Sequence, residues 1–269
     1  KQKIPTLIIE AGSGWSTPYY TWLQDSLAQY AVVYSYDRAG LGWSHPSRKP
    51  RDAHHIAEEL ALLLAHIKEP GPYWFVGHSL AAMTLRVFAK CHPEQVAGLV
   101  FLDGSHPQQF SKLSISGWET VTASCLYRST ALLAAMGLTH WFNPLAHINQ
   151  AITHCLPSHA QKQLQRLSHR PQTYTTGLKE SKLFEQSAQQ ALACGTLGKL
   201  PLLVISAAKI VDRAQRSTWL NLQKNLATLS SDSRQLILEG AGHGTLVTHA
   251  EWAKHAAQAI ISRIQDTQP

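Results

Sequence analysis

The sequence predicts an α/β fold: a mostly parallel central sheet with helices on both faces, interrupted by a helical insertion. Three observations carry this. Strand-like and helix-like segments alternate over the first hundred residues, fall silent over 107–199, and resume at Leu200. The strand-like runs are continuously apolar, as strands buried on both faces are. The 269 residues are 44% hydrophobic and 15% charged, enough to fill a sizeable core and too apolar for a disordered chain.

Each element has its own warrant. Thr6 to Glu10 is a buried strand, and 31–36 (AVVYSY) is a second, rich in β-branched and aromatic residues. Over 52–67, Ile56, Leu60, Leu63, Leu64 and Ile67 share one helical face, and Gly71-Pro72 ends that helix. Tyr73 to Val76 is the third strand, 80–92 a helix stopped by Pro93, and Val96 to Leu102 the fourth strand. Helical patches broken at Pro144, Pro157, Pro171 and Gly177 fill the insertion. A strand over 200–205, a helix over 213–229, a strand from Arg234 to Leu238 and a helix over 250–264 complete the chain. The expected organisation is a core of 1–106 plus 200–269 and a helical cap of 107–199.

Charge and motif content exclude several classes. Lys and Arg number 24 against 17 Asp and Glu, a net charge of +7. The excess is scattered, so no nucleic-acid partner is expected. A mildly basic surface suits anionic substrates or a membrane surface. No apolar stretch reaches the length of a membrane span. There is no signal-peptide pattern, and the chain enters a strand almost at Lys1. We expect a trimmed start, which leaves the compartment open: cytoplasmic, or periplasmic or membrane-associated if a signal or anchor was removed. Cys91, Cys125, Cys155 and Cys194 form no CxxC pair and are expected to be buried free thiols. Without a dinucleotide fingerprint, a P-loop or a metal cluster, no cofactor is expected.

The most informative segment is Trp74-Phe75-Val76-Gly77-His78-Ser79-Leu80-Ala81-Ala82. A strand runs into a helix through a tight turn with Ser79 at its tip. Small flanking residues let such a turn close against its neighbours, and its strain holds the serine hydroxyl out at the carboxyl end of the sheet. The pattern is G-x-S-x-G with Ala81 in place of the second glycine. Serine before a helix is also an ordinary N-cap, but strand, elbow and helix coincide here.

On these residues the chain resembles the α/β-hydrolase-fold serine hydrolases over nearly all of 4–264. Three further segments carry the resemblance. Glu10-Ala11-Gly12-Ser13-Gly14 matches the oxyanion loop, with Ala11 for the usual histidine. Tyr36-Asp37-Arg38-Ala39-Gly40-Leu41-Gly42-Trp43-Ser44 resembles the family's D-x-R-G-x-G-x-S loop, read as a structural brace. Glu239-Gly240-Ala241-Gly242-His243 matches the turn that holds the catalytic histidine. No counterpart of the family's first β-hairpin is expected in these residues, consistent with the trimmed start.

The resemblance implies a Ser-His-Asp triad in an esterase-like, capped member. A hydroxyl needs a base near neutral pH, and among 15 histidines His243 stands out, since it follows the last strand between glycines. His78, beside the serine, is expected to be structural. For the acid two positions compete. Asp103 ends the fourth strand in Leu102-Asp103-Gly104-Ser105-His106-Pro107, which resembles a subset of the family, as does Trp219-Leu220-Asn221-Leu222-Gln223. Asp212 follows the strand after the cap and precedes a helix, so it also suits an N-cap. Asp103 is preferred and Asp212 is the second choice. The backbone N–H groups of Ser13 and Leu80 are the expected oxyanion donors. Trp15, Trp43, Trp118 and Trp141 are candidates for an apolar substrate pocket, although packing accounts for such residues equally well. The expected reaction is hydrolysis of a carboxylic ester, most simply an apolar small-molecule one, through an acyl-enzyme. The same triad acting on a thioester, amide or C–C bond is the alternative, and a non-catalytic ligand-binding member of the fold is a third.

Overall fold

The computed structural model describes residues 4–113, 117–210 and 213–267; at 117–120, 146–149 and 213 it describes the backbone alone. Six strands form one sheet: β1 (Leu7–Glu10), β2 (Val33–Ser35), β3 (Tyr73–His78), β4 (Val96–Leu102), β5 (Leu202–Ala207) and β6 (Ser233–Leu238). Their order is β2-β1-β3-β4-β5-β6, and each neighbouring pair is parallel. All six were legible as apolar runs, with no bound shifted by more than two residues and β4 unshifted.

Alternation along each strand divides the core in two. Leu7, Ile9, Trp74 and Val76 face one side, where the helices Thr21–Ala28 and Ala250–Asp266 cover them. Ile8, Tyr73, Phe75 and Phe101 face the other, under Ala53–Leu64, Ala81–Cys91 and Arg216–Ala227. Phe75, Phe88 and Phe101 are fully buried, each contributing about 1.5–3 kcal/mol by leaving water. The helix Thr21–Ala28 went unread in the sequence. It is only two turns long and presents just Leu23 and Leu27 to the core, too few positions to establish a helical period.

Between β4 and β5 the chain forms helices that include Gly117–Ala135, Ser158–Leu167, Pro171–Lys182 and Phe184–Ala193. The last of these docks on the core. Phe184, Ala188 and Ala191 pack on Leu80 and Met83, and Ser187 accepts a hydrogen bond from Ala53 N–H. Among the described residues no helix is long and apolar enough to cross a membrane. The four cysteines are free, as expected, but not buried: Cys91 and Cys125 are exposed, Cys155 and Cys194 half-buried. Cys91 ends its helix and Cys125 lies on an outer helical face, so neither side chain turns inward.

Candidate active site

The sheet order reverses at β1, and the loops leaving the carboxyl ends of β1, β3, β4 and β6 converge there, as expected at such a switch point. Ser79 follows β3 directly, with φ at 54°, the left-handed region that a serine enters only under strain. Neighbours hold it there. Its N–H donates to Leu102 O, and its carbonyl accepts from Ser105 N–H and Ala82 N–H. A Cβ on Gly77 would lie 3.1 Å from the Ala81 methyl and 2.5 Å from Leu85. Glycine is therefore required at 77, and because it is glycine, the alanine at 81 fits. Gly12 approaches just as closely: a Cβ there would meet His78 at 3.0 Å and the Ser79 Cβ at 3.2 Å.

Asp103 follows β4 and also lies in the left-handed region, at φ 45°. Its carboxylate is almost fully buried and accepts three hydrogen bonds. Oδ1 takes Ala207 N–H and the Trp219 indole N–H, both at 2.9 Å. Oδ2 lies 2.6 Å from His243 Nδ1. A carboxylate can only accept here, so Nδ1 carries the proton and Nε2 is left with a lone pair. Asp212, the second choice for the acid, lies outside the described residues.

Ser79, Asp103, Ser105 and His243 line one cavity of about 860 Å³, with Gln109, Leu113, Ile152 and Lys209 among its other walls. Ser79 Oγ sits 3.5 Å from Ser105 Oγ, and among the described residues it makes no hydrogen bond to His243. The backbone N–H groups of Ser13 and Leu80 also have no acceptor among the described residues.

A second set of contacts ties this site together from behind. Gly12 N–H donates to the Tyr20 hydroxyl oxygen at 2.7 Å. That hydroxyl lies 3.0 Å from His78 Nδ1, and His78 Nε2 lies 3.0 Å from the carbonyl of His243. A carbonyl only accepts, so His78 carries its proton on Nε2, and Tyr20 donates to Nδ1. Every partner is satisfied only when His78 is neutral. Burial, reinforced by the neighbouring His243, pushes its pKa well below the usual histidine value. His78 is thus structural, as expected.

The Asp37–Ser44 loop braces the other flank. Asp37 accepts from Thr17 N–H and Trp43 N–H. Arg38 runs beneath the oxyanion-type loop, donating to the carbonyls of Ala11 and Gly12. It forms a two-point pair with Glu180 at 2.9 and 3.0 Å. Burial works against its charge, but Glu180 more than offsets this and raises the pKa. Glu180 also accepts from Gly14 N–H at 2.8 Å. Glu10, fully buried, lies 3.8 Å from Arg38, and burial outweighs that cation to push its pKa up to about 7.

The aromatic pocket expected from sequence is not where the structure places it. Trp15, Trp43 and Trp141 do not line the cavity of Ser79. Trp15 stacks on Tyr19. Trp43 is exposed, with the Arg170 guanidinium over its ring. Trp141, 85% exposed, follows a surface turn. The side chain of Trp118 lies outside the described residues. Sequence reasoning missed Tyr20, Ser105 and Glu180, which meet the site only through tertiary contacts; Ser105 stands two residues after Asp103, the one signal that could have found it.

This combination of sheet order, strained elbow and buried acid–histidine pair defines an α/β hydrolase. The chain belongs to the alpha/beta hydrolase family, whose model matches residues 9–256. It is 33% identical over 137 residues to an AB hydrolase superfamily protein of Gibberella zeae; the match covers 46% of this chain and 42% of that one. The chain therefore spans less than half the length of that relative. Among solved structures, one of a Pseudomonas aeruginosa protein provisionally described as an epoxide hydrolase is similar, with a TM-score of 0.76 and 15% identity, over 100% of this chain and 92% of that one. An Acinetobacter baumannii protein provisionally described as a lipase gives a TM-score of 0.70 and 15% identity, over 100% of this chain and 87% of that one.

Proposed function

We propose that the protein hydrolyses a carboxylic ester through an acyl-enzyme on Ser79, with His243 as base, Asp103 as acid partner and residues 107–199 as a cap. The carrying observation is the 2.6 Å contact between Asp103 and His243 Nδ1, in one cavity with a serine held at a left-handed elbow. In this reading Ser79 Oγ attacks the ester carbonyl carbon as its proton passes to His243 Nε2. The N–H groups of Leu80 and Ser13 receive the developing oxyanion, a role worth about 2.7–4 kcal/mol per donor. The intermediate collapses, the alcohol leaves with the proton from His243, and water repeats the sequence to release the acid. Asp103 fixes the imidazole tautomer and stabilises the imidazolium.

A serine also argues against epoxide opening through an alkyl-enzyme. The product of that attack would be an ether, with no carbonyl for water to reach. The fold hosts many chemistries, so the site and not the fold bears the assignment. A fluorophosphonate probe tests the nucleophile: labelling is expected in the wild type and lost in Ser79→Ala. An unlabelled wild type would favour a non-catalytic ligand binder. A chain-length panel of p-nitrophenyl esters tests the bond. Labelling without turnover of any ester would move the reaction to a thioester, amide or C–C bond.

A further inference from the structure

A second cavity of about 510 Å³ lies between the helical segment and the loop Gly14–Ser16, and among the described residues it shares no wall residue with the Ser79 cavity. One layer separates the two. A Cβ on Gly244, in the Ser79 cavity wall, would meet the Trp15 ring and Ile152 at 3.2 Å each. On the far side the chamber is aromatic: Trp15 stacks on Tyr19 at 4.3 Å, and Tyr127 meets Tyr174 edge-on at 6.4 Å.

Its hydrogen-bonding groups are incomplete. The Tyr174 hydroxyl is committed, donating to Ser168 O and accepting from Asn143. Those of Tyr19 and Tyr127, both half-buried at the chamber wall, make no hydrogen bond among the described residues. Each is a hydroxyl able to donate and accept. A ligand that covers such a group without pairing with it costs about 1–3 kcal/mol, so the chamber favours one that pairs with both. Among the described residues no carboxylate lines it, and the one cation there, Lys162, is exposed. The volume suits a small molecule, and the stacked rings suit a flat face.

We propose that this chamber is a second ligand site, separate from the Ser79 cavity, for a neutral ring carrying hydroxyl or carbonyl oxygens that pair with Tyr19 and Tyr127. Such a ring can be aromatic or a sugar, and two probes distinguish them: phenol and methyl β-glucopyranoside.

Calorimetry on the full chain, before and after capping Ser79 with a fluorophosphonate, tests the site. One probe is expected to bind with one-to-one stoichiometry, and capping should leave its affinity unchanged. In Tyr19→Phe/Tyr127→Phe the affinity should fall about tenfold or more, the scale of two neutral hydrogen bonds. Leu164→Trp, projecting into the chamber from the helix Ser158–Leu167, should abolish binding while Ser79 still labels. Binding of neither probe, unchanged affinity in the double variant, or loss of binding on capping would each overturn the proposal. If Ser79 takes no label, the uncapped protein serves, and the tyrosine and Leu164 variants decide the site independently of the catalytic reading.

Discussion

Ser79 and Asp103 both occupy backbone conformations that their side chains do not favour, at φ 54° and 45°. Strain of this kind costs about 1–3 kcal/mol, and it persists because β3, β4 and their hydrogen bonds fix both turns. Glycine would relieve it. Ser79→Gly should therefore raise the unfolding free energy by about 1 kcal/mol in urea titration, whereas Ser79→Ala, which keeps a Cβ, should not. Equal stability in the two variants would show that the elbow stores no strain. For Asp103 the prediction is chemical. An amide would not hold the imidazole in the tautomer that leaves Nε2 free, so Asp103→Asn should lower kcat by about 10⁴ with the fold retained, the scale of that change in the serine-protease template. Ester assays and circular dichroism on the variant check both halves. If instead Asp212→Asn is the damaging change, the acid sits after the cap.

At the scale of elements, the site is held by contacts between loops that are distant in sequence. Gly12, Tyr20, His78 and the His243 carbonyl form one chain of hydrogen bonds. Arg38 and Glu180 join the loop after β1 to the helix Pro171–Lys182. Glu10 gives this cluster a pH signature. Its pKa is about 7 in the fold against 4.5 in the unfolded chain, so between those values the folded state holds the extra proton. Stability from this group is present below pH 4.5 and is lost as pH rises to 7, by about 3 kcal/mol. His78 acts in the opposite direction. Its folded pKa is depressed, so its contribution is full above pH 6.5 and is lost as pH falls. Glu10→Gln isolates the first effect. The stability of the wild type relative to this variant should fall from pH 4.5 to 7 in urea titrations, and a constant difference would refute the assignment. His78 and the Arg38 loop were legible as structural, but the partners Tyr20 and Glu180 were not, because a buried ion pair leaves no local pattern. The apolar strands and the glycine-flanked turns do leave one, which marks Ser79 and His243 as candidates, whereas Asp103 was preferred over Asp212 only on its resemblance to a subset of the family. Trp15, Trp43 and Trp141 do not mark the Ser79 cavity for a related reason: a large ring in a loop can pack, stack or stay in solvent, and sequence does not distinguish these.

For the whole molecule, one parallel sheet brings residues from 12 to 243 together, and a helical segment between β4 and β5 docks on the core. The strands were legible throughout, whereas the docking of that segment through Phe184, Ser187 and Glu180 was not. The account rests on Ser79 becoming acylated during turnover. Rapid mixing with p-nitrophenyl acetate, followed by acid quenching and peptide mass spectrometry, measures this directly. The expected result is a burst of p-nitrophenol equal to the protein present, with an acetyl group on the peptide containing Ser79 and none in Ser79→Ala. Steady ester turnover with Ser79 unmodified, or turnover that survives in Ser79→Ala, would contradict it.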